Sequence, residues 1–244
     1  MNNHLKHFAT LFTLACGFLL TGTSVASDVY PAQPVTVIVA FTPGGTTDLL
    51  TRMVSTRLSE KLGKTFVVEN KPGAGGNIGT EFVVRAKPDG YTLMVNSVGP
   101  IAVNPTLYKN LPYNPITDLD PVVQIADVPN VLVVPAAAKT PTLKELIAKG
   151  KTKKGGLSYS STGIGTSSHL SSFMLAQRAN LTAVHIPYKG ADALNDLLAG
   201  RIDFMFATIP SVMPHIQSGK LLAIAVSSAK RSRSLPNVPT MIES

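Results

Sequence analysis

Two short stretches far apart in the chain share one layout. Pro43-Gly44-Gly45-Thr46-Thr47-Asp48 follows the apolar, β-branched run Val35-Thr36-Val37-Ile38-Val39-Ala40-Phe41. Leu50, Met53, Val54, Leu58 and Leu62 come next at helical spacing, closed by Gly63. Thr162-Gly163-Ile164-Gly165-Thr166-Ser167-Ser168 sits likewise between the strand-like Leu157-Ser158-Tyr159-Ser160-Ser161 and a helical segment from His169 to Asn180. Strand, glycine turn, helix: such a unit aims unpaired backbone N–H groups and the positive end of a helix dipole at one point. That point suits an anion, a carboxylate as well as a phosphate. Gly44, Gly45, Gly163 and Gly165 let main-chain amides approach a ligand that side chains would screen. No arginine falls in either turn, so dipoles rather than fixed cations would hold the anion.

Other chemistries fit less well. The second turn departs from the dinucleotide fingerprint at Ser168, and no Walker motif or Gly-x-Ser-x-Gly elbow occurs. His169, His185 and His215 lack metal-ligand spacing, so no metal and no cofactor is expected. His169, at a helix start beside the second turn, either donates to a bound carboxylate or caps and packs. Asp48 and Arg52 are four apart on a helix and read as an exposed ion pair, with Asp48 capping rather than meeting an anionic ligand. Aromatic residues make up 6% and tryptophan is absent, which disfavours a stacking platform for bases. The basic clusters Lys149, Lys151, Lys153, Lys154 and Lys230, Arg231, Arg233 lack interleaved aromatics and read as solvated surface, so no nucleic-acid partner is expected.

Residues 1–27 read as a cleavable signal peptide. Lys6 gives a basic start, Phe8 to Leu20 an apolar core, and Thr21 to Ala26 the small residues before a cut after Ala26 or Ser27. Removing Lys6 lowers the formal net charge from +8 to +7. Cys16, the single cysteine, leaves with the leader, so thiol chemistry and disulfides are excluded from the exported product.

Strands are expected at 65–69, 91–95, 122–125, 131–134, 183–186, 202–207 and 221–226. Helices are expected at 78–86, where Asn77 can cap, at 142–149 and at 191–199. From Asn104 to Pro121 prolines and asparagines suggest an irregular connection. Alternating strands and helices imply parallel sheets. The two glycine turns read as facing walls of a cleft between two α/β domains, outside the carboxyl ends of the strands. Residues 28–129 and 226–244 are expected to form the first domain and 130–225 the second, with crossings near Val128–Asn130 and Ala225–Ser227. Thr142–Glu145 and Thr240–Glu243 are capping boxes; the second, one residue before Ser244, suggests a domain 1 that is incomplete at its C-terminus.

Six ordered motifs carry a family resemblance: Pro43–Asp48, Glu69–Gly79, Pro88–Leu93, Gly163–Leu170, Ile186–Gly190 and Leu235–Thr240. Together they resemble the Bug family, periplasmic solute receptors of tripartite tricarboxylate transporters. The resemblance implies a two-domain α/β Venus-flytrap of the type II-like periplasmic kind, not an enzyme. Its ligand carboxylate would be held by Gly44, Gly45 and Thr46 on one wall and Gly163, Gly165 and Thr166 on the other. Asn77, Ser97, Gly190, Asp192 and Thr208 would line the distal end, with His169 beside the second turn. The implied ligand is a tricarboxylate, a dicarboxylate, an acidic amino acid or an aromatic acid. The implied partner is a two-component membrane permease, served by a monomeric receptor. Alternatives are a sensory receptor feeding a two-component system and, less favoured, an enzyme on the same scaffold. Phe173 stands where the family commonly carries Glu, and family members continue past Thr240 with a segment completing the first domain.

Overall fold

The computed structural model describes residues Val29–Ser244; the signal-peptide reading lies outside them. Gln33–Ser244 forms one contact unit built on two separate sheets. The first lobe runs β1 (Val35–Val39), α1 (Thr46–Leu62), β2 (Phe66–Asn70), α2 (Asn77–Val84) and β3 (Thr92–Val95). A π-helical turn at Gly99–Val103 then enters the short α3 (Asn104–Leu107). Its sheet is all parallel in the order β2-β1-β3, the arrangement that strand–helix crossovers dictate. β1 is central and covered on both faces, which is why it reads as an unbroken apolar run.

The second lobe runs β4 (Asn130–Pro135), α4 (Leu143–Thr152), β5 (Leu157–Ser161), α5 (Ser167–Arg178) and β6 (Ala183–Pro187). It continues with α6 (Asp192–Leu198), β7 (Phe204–Thr208), α7 (Ile209–Gln217) and β8 (Leu221–Val226). The sheet order is β6-β5-β7-β4-β8. It is mixed rather than parallel: β4 lies antiparallel to both β7 and β8, because it enters from the first lobe instead of from a crossover helix. β4 is the spine of this lobe. Val131 and Val133 pack on one face with Leu197, Val212 and Leu221, and Leu132 and Val134 on the other with Leu146, Leu157 and Phe204. Each of these four side chains is fully buried, contributing about 1.5–3 kcal/mol relative to exposure.

The two expected crossing points lie side by side. Ser227 donates its amide to the Asn130 carbonyl at 2.8 Å, and the Asn130 amide donates to Ser227 Oγ at 3.0 Å. Beyond that pair the chain differs from expectation. Residues 226–244 were expected in the first domain, but they run along the second sheet. Val226 bridges Thr240 in parallel, Leu235 and Val238 pack into the core around Val131, and Met241 packs against the opposite face.

Three local readings also change. Val122 to Ile125 forms no strand; Val122 and Val123 are exposed, since neither sheet receives them. Asn77 does not cap α2 but is its first residue, with Gly76 at the cap position. The stretch after Ala207 holds the full helix α7, and Pro210 and Pro214 concealed it. A proline in the first turn needs no hydrogen-bond partner, and the single one within costs one ladder bond. Both capping boxes form, with Glu145 and Thr142 bonding reciprocally and Glu243 and Thr240 likewise.

Candidate ligand-binding site

Turn one joins β1 to α1. Asp48 is only 3% exposed, not part of an exposed pair, and its carboxylate is aimed back into its own lobe. It accepts from the Gly44 amide at 3.0 Å, from Asn70 Nδ2 at 3.0 Å and from Arg52 Nε at 3.1 Å. Burial pushes this carboxyl up; the hydrogen bonds from Arg52, Gly44 and Asn70, with the guanidinium charge, outweigh it and hold the group below the ordinary carboxylate range. The Gly44 amide is therefore used inside the turn. What remains at the tip of α1 are the N–H groups of Thr46, Thr47 and Asp48, which have no acceptor among the described residues.

Turn two joins β5 to α5 and is braced the same way. The Gly165 amide donates to His169 Nδ1 at 3.3 Å, and the Gly163 amide to Ser161 Oγ at 3.3 Å. Thr166 Oγ1 donates to the Gly163 carbonyl at 2.7 Å and accepts the His169 amide, so Thr166 is a true helix cap. Ser167 and Ser168 keep amides without an acceptor among the described residues. His169 thus braces and packs. Its ring stacks on His185 with centroids 4.2 Å apart, and Tyr159 stacks on the far side of His185 at 4.9 Å. Burial lowers the pKa of both imidazoles; for His185, with His169 adding its own repulsion, the value falls to about 4.

The helix tips converge at the end of β7. Ser168 Oγ donates to the Phe206 carbonyl at 2.5 Å, which seats the start of α5 beside β7. Two residues on, Thr208 meets Thr46 of the opposite lobe, hydroxyl to hydroxyl, at 2.7 Å. Thr208 is also the cap position of α7, so a third helix start, missed in the sequence, points at the same place. Hydroxyls and amides dominate here, and the one carboxylate of the turns faces away.

The remaining candidates disperse. Gly190 sits against Thr42 of the first lobe. Asn77 is buried beneath the cleft, accepting from Asn104 Nδ2 at 2.5 Å and from the Tyr113 hydroxyl at 2.8 Å. Ser97 follows β3 and gives its amide to Asn96 Oδ1. Asp192 is exposed at the start of α6. Thr42, Asn70, Asn104 and Tyr113 take part in this architecture without having been singled out. Asn70 alone had a signal, since it lies within the second of the six motifs.

Two α/β lobes, crossed by the chain and facing each other through strand-to-helix turns, define a periplasmic-type solute-binding protein. The family model described as "Tripartite tricarboxylate transporter family receptor" matches residues 50–244. The chain belongs to that family. A protein from the tcbD–tcbE intergenic region of Pseudomonas sp. is 41% identical over 217 residues, 88% of this chain but 64% of its own length. The chain thus spans somewhat less than two thirds of that relative. The solved structure of the periplasmic binding protein BugD is 41% identical and superposes with a TM-score of 0.84, over 88% of this chain and 72% of that one. The Rhodopseudomonas palustris protein Rpa4515, solved with adipate, is 35% identical with a TM-score of 0.85 over the same shares.

Proposed function

We propose that this chain is a periplasmic receptor that captures a small carboxylate and delivers it, as a monomer, to a two-component membrane permease of the tripartite tricarboxylate type. It acts by binding rather than turnover. The observation that carries the reading is the convergence of the α1, α5 and α7 starts around the Thr46–Thr208 contact, where amides and hydroxyls gather and the Asp48 carboxylate is turned into its own lobe. The carboxylate oxygens take the Thr46 and Thr47 amides on one wall and the Ser167 and Ser168 amides on the other. The glycines of both turns hold those amides in place. Family membership and the adipate in the relative Rpa4515 support a dicarboxylate among the possible acids. Among the described residues no helix is long and apolar enough to cross a membrane.

The test is a thermal-shift screen with adipate, citrate, aspartate and benzoate at millimolar concentration. Saturation by the correct class raises the midpoint by about 5 °C or more, from the linkage expected at a hundredfold excess over Kd. No rise with any of the four, alongside a rise with a neutral sugar, overturns the reading.

A further inference from the structure

Charge is divided unevenly between the lobes. Residues 29–129 carry eight Lys and Arg against eight Asp and Glu, whereas residues 130–244 carry thirteen against five. The strand directions gather much of that excess at one end of the second lobe. β5, β6 and β7 are parallel and start there, β8 starts there too, and antiparallel β4 ends there with Pro135 opposite Leu221. Backbone bonds tie the connections of this end together: the Ala136 amide donates to the Lys220 carbonyl, Leu157 to Thr182 and Asp203 to Ser158. The turns that face the first lobe lie at the other end of the same strands, about 16 Å away along a five-residue strand. Two acids at this pole are already engaged. Asp203, 9% exposed, takes Lys153 Nζ at 2.6 Å and Lys149 Nζ at 3.3 Å, and Asp196 takes Arg201. Lys139, Lys151, Lys154, Arg178 and Lys220 are exposed and have no acidic partner among the described residues. The negative end of a helix favours cations in the last turn, which accounts for Lys151 of α4 and Arg178 of α5. It does not account for Lys154 and Lys220, two and three residues past the ends of α4 and α7, or for Lys139 after a single 3-10 turn. None of the connections at this pole exposes a large apolar side chain.

We propose that this pole is a docking surface for an anionic phospholipid bilayer, holding the protein loosely at a membrane while the opposite, cleft end of the lobe stays free. Specific protein interfaces are built around buried aromatic, Met and Arg side chains and are depleted in Lys. The pole has the opposite make-up: lysines on connections of Ala, Gly and Ser, with no apolar centre. A fluid sheet of headgroup charge needs no such centre, since each Lys or Arg close to it strengthens attachment about fivefold. The attraction fades within a Debye length, so the attachment is reversible and salt-dependent.

Flotation of the chain recovered from the periplasm of an expressing cell tests this, and the outcome does not depend on which solute is captured. The vesicles are phosphatidylcholine alone or with about one third phosphatidylglycerol. Wild type is expected to float with the anionic vesicles and not with the neutral ones, and to be released as sodium chloride rises from about 50 to about 300 mM. Lys139→Gln/Lys154→Gln/Lys220→Gln is expected to lower the partition coefficient about a hundredfold, three charges at about fivefold each. Lys61→Gln/Lys64→Gln/Lys87→Gln removes the same charge from exposed positions of the first lobe and is expected to change it by less than about threefold. Far-UV circular dichroism checks that both variants are folded. Wild type that ignores the anionic vesicles, or equal losses in the two variants, overturns the proposal. So does retention on immobilised polyglutamate without flotation, which would give the pole to an acidic protein.

Discussion

The turn after β1 and the turn after β5 use one device with two different chemistries. In each, a glycine amide donates to the side chain four residues later, Gly44 to Asp48 and Gly165 to His169. The first brace is a carboxylate kept ionised by Arg52 and Asn70; the second is an imidazole kept neutral by burial and tied into a ring stack. Their surroundings differ as well. A Cβ on Gly45 would meet nothing nearer than the Thr42 carbonyl oxygen at 3.9 Å, whereas Gly165 is pressed against Asn104 of the other lobe. A shared motif therefore does not imply a shared task. The glycines of the first turn face open space and that turn meets the other lobe through the Thr46 hydroxyl, whereas in the second turn the glycines themselves are the contact surface.

The largest effect should separate these tasks. Gly165→Ala sets a side chain at φ +85° against Asn104, which is fully buried and held by Asn77, so it has no room to withdraw. The left-handed backbone alone costs about 1–2 kcal/mol for a residue with a Cβ. With the lobes also held apart, carboxylate affinity by calorimetry should drop about a hundredfold. Gly45→Ala, at an extended φ of −78° with open space, should change it by less than about threefold. Adding Asn104→Ala to Gly165→Ala should recover part of the loss. Equal losses at 45 and 165 would erase the contrast between the turns.

A smaller effect concerns the carboxylate brace. Asp48→Asn keeps an oxygen for the Gly44 amide but removes the charge that pairs with Arg52, at a site 3% exposed. Stability at pH 7 should fall by about 1–3 kcal/mol in urea unfolding. The sign with pH is fixed by the direction of the shift. A depressed carboxyl pKa contributes stability above its unfolded value of 3.8, lost as pH falls through the lower folded value. The gap between wild type and variant should therefore narrow on acidification below pH 4. A gap that widens in acid would mean Asp48 is not held ionised by its partners.

Much of this layout was legible in the chain, for physical reasons that also mark where legibility stops. The strands 157–161 and 221–226 were readable to the residue because glycines precede both, Leu157 and Tyr159 alternate with serines in the first, and the second is wholly apolar. Val122 to Ile125 has the same composition and is no strand, since pairing depends on a neighbour that local sequence does not reveal. The direction of β4 and the resting place of residues 226–244 are likewise decided by long-range packing. At the site, the two turns stood out as strand–glycine–helix units. What was hidden is that Gly44, Gly163 and Gly165 give their amides to their own lobes, leaving donation to the residues that follow. Which glycines serve lobe contact was equally hidden, because their partners, Thr42, Asn104 and Ile164, lie in the opposite lobe.

The finest distinction between the two braces is their response to mild acid. His169 accepts the Gly165 amide through a ring nitrogen that must be unprotonated, and burial depresses its pKa below 6.5. A histidine held neutral in the fold contributes stability above its unfolded pKa, and that contribution is lost as pH falls from 6.5 through the folded value. The same proton removes the acceptor from the second turn while leaving the first untouched. Carboxylate affinity of the wild type should accordingly decline as pH falls below 6.5, as protonated His169 releases Gly165. His169→Asn places an amide oxygen near the position of Nδ1 and does not titrate, so its affinity should stay nearly level over that range. His185, depressed to about 4 and stacked on His169, adds its own effect only toward the acid end. A His169→Asn profile that falls in parallel with the wild type would move the acid sensitivity away from this brace, and would leave the carboxylate and the imidazole as interchangeable supports for one kind of turn.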